Sequence, residues 1–351
     1  MSTTPTGRGS RRPSITDVAR RAGVSVGTVS NVLNRPEQVT VATRDRVLAA
    51  IEELQFVRNA SARQLRAGTI QTVGAIVLDI ANPFFTEVAR GVEDRLAADE
   101  YTLMLASSDE DPEREARYLR LFEEHGVQGI MVTPSAGTLD LLLGVRDRGI
   151  DVVLLDANSP LEDLSSVAVD DVQGAALAIA HLVALGHRRI AFVNGPETIK
   201  QCVDRRAGVL ASLEAAGLDP AQALVEVTIG SLNADGGERG VEQLFAEHGE
   251  GTDRPTAIFC VNDLTALGAL RALRARDIAI PRDMAVVGYD DVTFASMLTV
   301  PLTSVRQPTH QLGWTAADLL LRQGTEKDAF HHQRIQFHPE LVVRGSSDPS
   351  A

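Results

Sequence analysis

Two matching series of apolar runs follow residue 70 and constrain the fold more than any other feature of the sequence. The first series is TVGAIVLDI, YTLMLASS, GIMVTPS and VVLLDAN, and the second is RRIAFVNGP, LVEVTIGS, TAIFCVND and MAVVGYDD. Helical stretches separate the runs, and this alternation is typical of parallel strands that are buried on both faces. Two such series predict an α/β body of two lobes, and the cleft between lobes is where a ligand would bind.

The segment before this body shows helical spacing instead. ITDVARRAGVSVGTVSNVLNRP predicts two short helices joined by a tight turn, the first capped at Ser14 or Thr16 and stopped at Gly23, the second capped at Ser25. A third helix, TVATRDRVLAAIEELQF, is predicted to be capped by Thr40. The apolar positions on which these helices would pack are Val18, Ala19, Ala22, Val29, Val32, Leu33, Val47, Leu48, Ile51 and Leu54. Three helices so arranged describe an all-α helix-turn-helix head.

The second predicted helix turns small and polar residues away from this core. Such a face suits close approach to base edges in a major groove, whereas a helix in a purely structural bundle more usually carries Glu and Lys pairs. The candidate DNA-contacting residues of the head are Thr16, Ser25, Val26, Gly27, Thr28, Ser30, Asn31 and Asn34.

Charge separates the two parts of the chain. Residues 1–70 contain eleven arginines and five acidic residues, a formal charge of +6, while residues 71–351 carry −19 of the total of −13. A basic head can approach DNA while an acidic body resists non-specific association. Residues 1–13 show no periodicity and are rich in Ser, Thr, Gly, Pro and Arg, which predicts a flexible basic arm.

The segment RNASARQLRAGT links head and body and contains Leu65 in a weakly helical context. It can be interpreted as a solvated linker, because a helix so short is marginal in water. Alternatively it folds on DNA, with Leu65 wedged into a minor-groove step and Arg63 or Arg66 at phosphates. Asn59, Arg63 and Leu65 are the candidate DNA contacts of this segment.

Polar residues at the carboxyl ends of the predicted strands are the candidate ligand contacts, because strands in such sheets end at the crevice. They are Asp79, Asn82, Asp156, Asn194, Asn262, Asp263 and Asp290. Carboxylates and amides form hydrogen bonds with the vicinal hydroxyls of a sugar. Arg205, which follows a strand, would add the N–H donors of its planar guanidinium in a fixed geometry. Phe84 and Phe85 would cover an apolar sugar face.

Some of these residues have a local alternative role. Asn82 precedes Pro83 and Asp263 precedes LTALGAL, both of which are typical helix caps. Our interpretation is that Asp263 is structural, and that Asp290, Arg205 and Asn262 contact the ligand.

Enzymes and exported binding proteins are the rival classes. The sequence contains no G-x-S-x-G elbow, P-loop, H-E-x-x-H or G-x-G-x-x-G motif, so we expect no enzyme activity and no cofactor. A free sugar-binding protein would need an export signal and would not carry the head. We find neither a signal peptide nor an apolar run of membrane-spanning length, and expect a cytoplasmic protein without membrane contact.

The cysteines and the C-terminal histidines do not predict a metal site. Cys202 and Cys260 lack metal-ligand spacing and are interpreted as small core residues. His331, His332 and His338 lie in a predicted edge-strand tail and are interpreted as surface residues.

The motifs ITDVARRAGVSVGTVSNVLNRP, RNASARQLRAG, VGYDD and PLTSVRQP, in this order, resemble the LacI/GalR family of bacterial transcription regulators over essentially the whole chain. The resemblance implies a homodimer whose heads read a pseudo-palindromic operator, and a body similar to periplasmic sugar-binding proteins. By position it makes Val26, Gly27 and Asn31 base-reading residues and Leu65 the wedge. Gly27 has no side chain and Asn31 replaces a commoner Arg or His, so the operator half-site is expected to differ from the best-known ones.

The same resemblance implies a sugar pocket in the cleft. Its residues by position are Asn82, Phe84, Phe85, Asp156, Arg205, Asn262, Asp290 and Gln307. Ribose-binding relatives often have Arg where this chain has Ala157. The preferred effector is a pentose or hexose, with no particular sugar named. A nucleoside, a phosphorylated sugar or a protein co-regulator is the alternative effector.

These inferences give one domain plan. We expect a head at 14–57, a hinge helix or linker at 58–70 and an effector-binding and dimerisation domain at 71–345. The family's three crossings between lobes imply a first lobe at about 71–168 and 299–330, and a second at about 169–298 and 331–345. The sequence ends without a leucine heptad, which favours a dimer over a tetramer. The predicted function is a repressor whose operator affinity is controlled by the effector.

Overall fold

The computed structural model describes residues 13–56, 71–249 and 254–348 of the chain. It divides the chain into two compact units, Met1–Ile70 and Gln71–Ala351, here called the head and the body. The expected arm at 1–13 and hinge at 58–70 lie almost wholly outside the described residues.

The head contains three helices, whose ends follow from local sequence. They are α1 (Ile15–Ala22), α2 (Val26–Asn34) and α3 (Val41–Glu53), with a 3₁₀ turn at Pro36–Gln38. Ser14 caps α1 in a capping box with Asp17, and Gly23 ends it with φ +66°. The Ser25 hydroxyl accepts a hydrogen bond from the Thr28 amide at the start of α2, as predicted.

The core of the head largely follows the predicted apolar positions. Val18, Val29 and Val47 are fully buried at its centre. Leu48 was expected on the buried face and is instead 48% exposed, because the turn of α3 carries Ala50 into the core. Thr40 occupies the cap position of α3, but its side chain donates to the Thr43 hydroxyl and makes no capping bond.

The body consists of two six-stranded sheets, each covered by helices, which confirms the predicted α/β class. The first sheet is parallel throughout, in the order β11-β5-β4-β3-β1-β2. Its strands are β1 (Thr72–Val77), β2 (Thr102–Ser107), β3 (Gly129–Val132), β4 (Asp151–Leu155), β5 (Ser165–Val169) and β11 (Arg334–Phe337). The helices of this lobe, lobe 1, are α4 (Pro83–Ala97), α5 (Pro112–Glu124), α6 (Leu139–Asp147) and α12 (Thr309–Glu326).

The second sheet has the order β12-β10-β9-β8-β6-β7, and only β12 is antiparallel to its neighbour among these described strands. Its strands are β6 (Ile190–Asn194), β7 (Leu224–Thr228), β8 (Ala257–Cys260), β9 (Ala285–Asp290), β10 (Thr303–Arg306) and β12 (Glu340–Val342). The helices of lobe 2 are α7 (Asp171–Ala184), α8 (Lys200–Ala215), α9 (Pro220–Ala223), α10 (Ala234–His248) and α11 (Asp263–Arg274). Thr293–Met297 and Lys327–Ala329 form 3₁₀ turns.

The lobe boundaries differ from those expected. Residues 299–330 were expected in lobe 1, and α12 lies there, but β10 pairs with β9 in lobe 2, where Val305 joins the core beside Tyr289. Residues 331–345 were expected in lobe 2, and β12 lies there, but β11 pairs with β5 in lobe 1. The chain therefore crosses between lobes after β5, after β10 and after β11.

Burial of the strands on both faces explains their continuous apolar runs. In β3, β5, β6, β8 and β9 every residue is buried. The parallel strands of both lobes direct their carboxyl ends to the cleft, which is therefore lined by the residues that follow β1, β4, β8 and β9. Within the described residues, no helix combines the length and apolarity that a membrane crossing requires.

Candidate functional site

Helix α2 presents the candidate DNA-reading face of the head. Val29 and Val32 are buried against α1 and α3, which turns the opposite side of the helix to solvent. Val26 is 38% exposed, and Gly27 and Asn31 are exposed as well. A capped helix that begins with small residues and carries exposed amide side chains suits close approach to base edges in a major groove.

The other predicted head residues lie around this face. Thr16 is exposed on α1, the Ser25 and Thr28 hydroxyls lie 2.9 Å apart at the start of α2, and the Asn34 amide donates to Ser30 at 3.2 Å. Asn59, Arg63 and Leu65 lie outside the described residues, so their predicted roles stay predictions.

The body contains a cleft between its lobes, with about 490 Å³ of empty space including the part that is open to solvent. Its lining comes from loops at the carboxyl ends of strands and from the first turns of α4 and α8. The lining residues are Leu78, Asp79, Asn82, Phe84, Phe85, Glu110, Asp156, Ile199, Gln201, Cys202, Arg205, Leu232, Val261, Asn262 and Asp290.

Two carboxylates at the centre of the cleft receive hydrogen bonds across it. Asp156 follows β4 in lobe 1, and the Gln201 side chain of lobe 2 donates to its carbonyl at 2.7 Å and its Oδ2 at 3.0 Å. Asp290 ends β9 in lobe 2 and accepts from Asn82 of lobe 1 at 3.3 Å, while Gln307 donates to its other oxygen at 2.8 Å. The cleft thus joins the lobes through polar pairs that a ligand can replace.

Backbone conformation at both carboxylates is unusual for residues other than glycine. Asp156 has φ +53° and Asp290 has φ +107°. Such backbone costs energy and persists only where the surrounding structure holds it, and it is enriched at binding sites. The two carboxylates are therefore fixed in place by the fold.

Arg205 is held on one side of the cleft by buried partners. Its Nε lies 2.8 Å from Asp171 Oδ1, its Nη1 donates to the Val261 carbonyl at 2.5 Å, and its guanidinium stacks 3.6 Å from the Tyr289 ring centroid. Burial opposes the charge of Arg205, yet the Asp171 carboxylate keeps its pKa above the ordinary value. A Cβ at position 174 would overlap the Tyr289 hydroxyl, so Gly174 gives this ring its space.

Burial raises the pKa of the acidic residues that line the cleft. The pKa of Asp290 is raised to about 6 by desolvation, which Arg205, Asn82 and Gln307 only partly offset. Desolvation and the nearby Asp171 raise the pKa of Asp156 well above its ordinary value. The pKa of Glu110 is raised by burial and by its neighbours Asp79 and Asp109. A ligand that donates hydrogen bonds to these carboxyl groups would lower their pKa and favour their charged form.

The structure brings together most of the residues predicted for the pocket. Asn82, Phe84, Phe85, Asp156, Arg205, Asn262 and Asp290 line the cleft. Gln307 lies behind this lining, where its amide orients Asp290. The expected cap at Asp263 is instead Asn262, which accepts from the Thr265 amide at 2.8 Å. Asp263 is structural, as interpreted, since it accepts from Ser304 and the Val292 amide.

Sequence reasoning missed seven lining residues of the cleft, of which Leu78 and Val261 directly follow the strands β1 and β8. Ile199, Gln201 and Cys202 open helix α8, while Glu110 and Leu232 lie in loops after β2 and β7. The rule that strands end at the crevice could have found Glu110 and Leu232. Asn194, which was a candidate, donates to the Cys202 carbonyl at 3.2 Å.

The remaining candidates have structural settings. Cys202 and Cys260 are buried free thiols, as expected. Among the C-terminal histidines, His331 is exposed, His332 bonds to the Ser165 hydroxyl and His338 bonds to Gln173.

Comparisons with known proteins match both units of the chain. Residues 14–59 match the model described as bacterial regulatory proteins, lacI family, and residues 179–347 match a periplasmic binding protein-like domain. The chain is 34% identical over 336 residues to the HTH-type transcriptional repressor PurR of Photobacterium profundum, and the match covers 95% of this chain and 98% of that protein.

Solved structures agree with these matches. A complex of the transcriptional regulator CelR with cellobiose is 33% identical, with a TM-score of 0.68, and the match covers 96% of this chain and 100% of that one. The lac repressor dimer bound to operator and the anti-inducer ONPF is 26% identical, with a TM-score of 0.77, and the match covers 96% and 99% of the two chains.

Proposed function

Because this chain belongs to the LacI family of bacterial regulatory proteins, we propose that it is a transcriptional repressor whose affinity for a specific operator is controlled by a small molecule in its cleft. The observation that carries this proposal is the exposed Val26, Gly27 and Asn31 face of α2 in a chain that also holds a polar ligand cleft. Such a protein acts on DNA in the cytoplasm.

The operator is proposed to be pseudo-palindromic and read by a homodimer. A two-fold protein dimer places two recognition helices on half-sites about one helical turn apart. The related lac repressor, solved as a dimer on its operator, supports this arrangement.

The effector is proposed to be a sugar. Asp156, Asp290 and Asn262 supply acceptors and donors suited to vicinal hydroxyls, and Phe84 and Phe85 supply aromatic rings in the same cleft. The cellobiose complex of the related CelR supports this class.

Ligand control is proposed to work through the relative position of the lobes. A sugar that takes over the hydrogen bonds of Asp290 or Asp156 would replace the Asn82 and Gln201 bonds that now join the lobes. A ligand shifts such an equilibrium only by its different affinity for the two states. The bonds across the cleft supply that difference.

Footprinting of the region upstream of the gene, followed by titration with and without sugars, tests the proposal. A protected pseudo-palindromic site whose occupancy changes with one sugar is expected. Absence of sequence-specific binding, at low salt and in selection from a random DNA library, would overturn the proposed function.

Asn31→Ala is expected to weaken binding to that operator by about tenfold to a hundredfold, because a base-reading amide is worth roughly 1–3 kcal/mol. Binding to a scrambled duplex should change little, since contacts to phosphates remain. Gel-shift titration measures both. The exposed α3 variant Glu52→Ala is the control and should keep its operator affinity. An equal loss on both duplexes would contradict a base-reading role.

A further inference from the structure

The amide side chains of the cleft already donate their hydrogen bonds to the protein. The Asn82 and Gln307 amides donate to Asp290, at 3.3 and 2.8 Å, and the Gln201 amide donates to Asp156. The Asn262 amide donates to the Leu232 carbonyl at 2.9 Å. Each amide has two N–H groups, so Gln201 has both engaged, while Asn82, Gln307 and Asn262 each keep one for a ligand.

The guanidinium of Arg205 is engaged in the same way. It donates to Asp171 and to the Val261 carbonyl, and its face covers Tyr289. The ion pair with Asp171, buried on both sides, balances its charge locally. Arg205 therefore has little attraction left for an anionic ligand.

Acceptors, in contrast, remain open. Asp156 is only 5% exposed and lines the cleft, yet its Oδ1 has no hydrogen-bond partner among the described residues. The Oε1 of Gln307 is also buried and has no hydrogen-bond partner within the described part of the chain. A buried acceptor without a partner costs free energy that a donor from a ligand would recover.

The charged side chains around the cleft also favour a ligand that donates hydrogen bonds and carries a positive charge. Asp79, Glu110, Asp156 and Asp290 all line it, and Arg205 is the one cationic side chain in the lining that the structure describes. Burial penalises the negative charge of Glu110, Asp156 and Asp290, as their raised pKa values indicate. A cation placed among them would remove this penalty, whereas a phosphate would increase it.

The aromatic side chains are compatible with a cation. Phe84 and Phe85 lie edge to face at the start of α4, with ring centroids 4.9 Å apart, and both line the cleft. An ammonium group is attracted to an aromatic face, and this attraction is strongest where water is excluded.

We propose that the effector is an amino sugar, whose ammonium group donates to the open oxygen of Asp156 in a cleft that rejects phosphorylated sugars. The inference rests on the proposed function and narrows its ligand class. The hydroxyls of the sugar share Asp290 and Asn262, and the ammonium group supplies the positive charge and the donor that the open oxygen of Asp156 lacks.

Sugars of similar shape but different charge test this selectivity on the full-length protein. Isothermal titration compares D-glucosamine, D-glucose and D-glucose 6-phosphate, and then the corresponding D-galactose and D-mannose series. In at least one series the amino sugar should bind about tenfold or more tightly than its neutral counterpart, and the phosphate should bind weakest. Equal or tighter binding of neutral or phosphorylated sugars, or no binding of any amino sugar, overturns the inference.

Glu110→Gln separates charge from shape in the same experiment. It keeps an acceptor and removes one negative charge, so the preference for the amino sugar over the neutral sugar should fall about tenfold. Glu113→Gln, an exposed change of the same kind three positions along the chain, should leave the preference unaltered. An unchanged preference in Glu110→Gln would overturn the electrostatic argument.

Operator binding distinguishes this inference from the function on which it rests. If the protein binds its operator and responds only to a neutral sugar, the inference fails and the proposed function stands. If no specific DNA binding occurs with any of these compounds, the proposed function fails.

Discussion

Replacing Arg205 with alanine is expected to lower the free energy of unfolding of the body by about 3–5 kcal/mol, because it leaves a buried carboxylate without its partner. Arg205 and Asp171 are 5% and 7% exposed, and their ion pair is 2.8 Å long. The Tyr289 ring and the Val261 carbonyl also lose their contact with the guanidinium. Urea unfolding followed by circular dichroism measures the change.

Arg206→Ala provides a matched control for this prediction. Arg206 is the next residue on α8 and forms an ion pair of 2.7 Å with Glu226, but both side chains are more than a third exposed, at 41% and 35%. Solvent screens such a pair, so its loss should cost less than about 1 kcal/mol. Comparable losses in the two variants would contradict the stabilising role of the buried pair.

A double variant identifies the cause of the loss. If the unpaired Asp171 carboxylate is the main cost in Arg205→Ala, then Arg205→Ala combined with Asp171→Ala should regain part of the stability. A further loss in the double variant, additive with the first, would instead assign the effect to packing around Tyr289.

The class of the fold can be predicted from the sequence because the spacing of apolar residues within a segment indicates whether that segment forms a helix or a buried strand. The apolar runs that became β3, β6, β8 and β9 are buried on both faces, which is the condition that parallel strands impose. The lobe to which a late strand belongs depends on distant pairing. Nothing in the short sequences of β10 and β11 indicates their lobe, yet Val305 packs beside Tyr289 in lobe 2 and Phe337 packs in lobe 1.

The cleft could be predicted to the extent that a general rule of α/β sheets places it. Asp156 and Asp290 end strands and were found for that reason. Gln201 was missed because it lies in the first turn of α8 and not at the end of a strand, and only the approach of the two lobes brings it to Asp156. The contacts between the lobes decide which donors of the cleft are already engaged, and therefore what a ligand must supply. No pattern in the sequence indicates these contacts.

Asp290→Asn is expected to weaken binding of the tightest compound of the sugar panel by about a hundredfold at pH 7.5, because a hydrogen bond to a charged acceptor contributes roughly 1.5–3 kcal/mol. Asp290 receives bonds from Asn82 and Gln307, and Arg205, Asp171, Asp156 and Asp263 are the charged groups that act on it. Operator affinity without ligand should also change, because Asp290 accepts the Asn82 hydrogen bond that joins the lobes. Titration calorimetry and gel shifts measure the two affinities.

The pH dependence of ligand binding gives the second readout of this variant. The pKa of Asp290 is raised to about 6 in the free protein, and a ligand that donates to the carboxylate favours its ionised form. Ligand binding then releases a proton below that pKa, so wild-type affinity should fall by up to about tenfold for each pH unit below 6. The asparagine side chain of Asp290→Asn cannot titrate, so the variant should lose the part of this fall that Asp290 contributes. A variant that retains the full wild-type fall between pH 6 and pH 5 would show that another group in the cleft binds the proton.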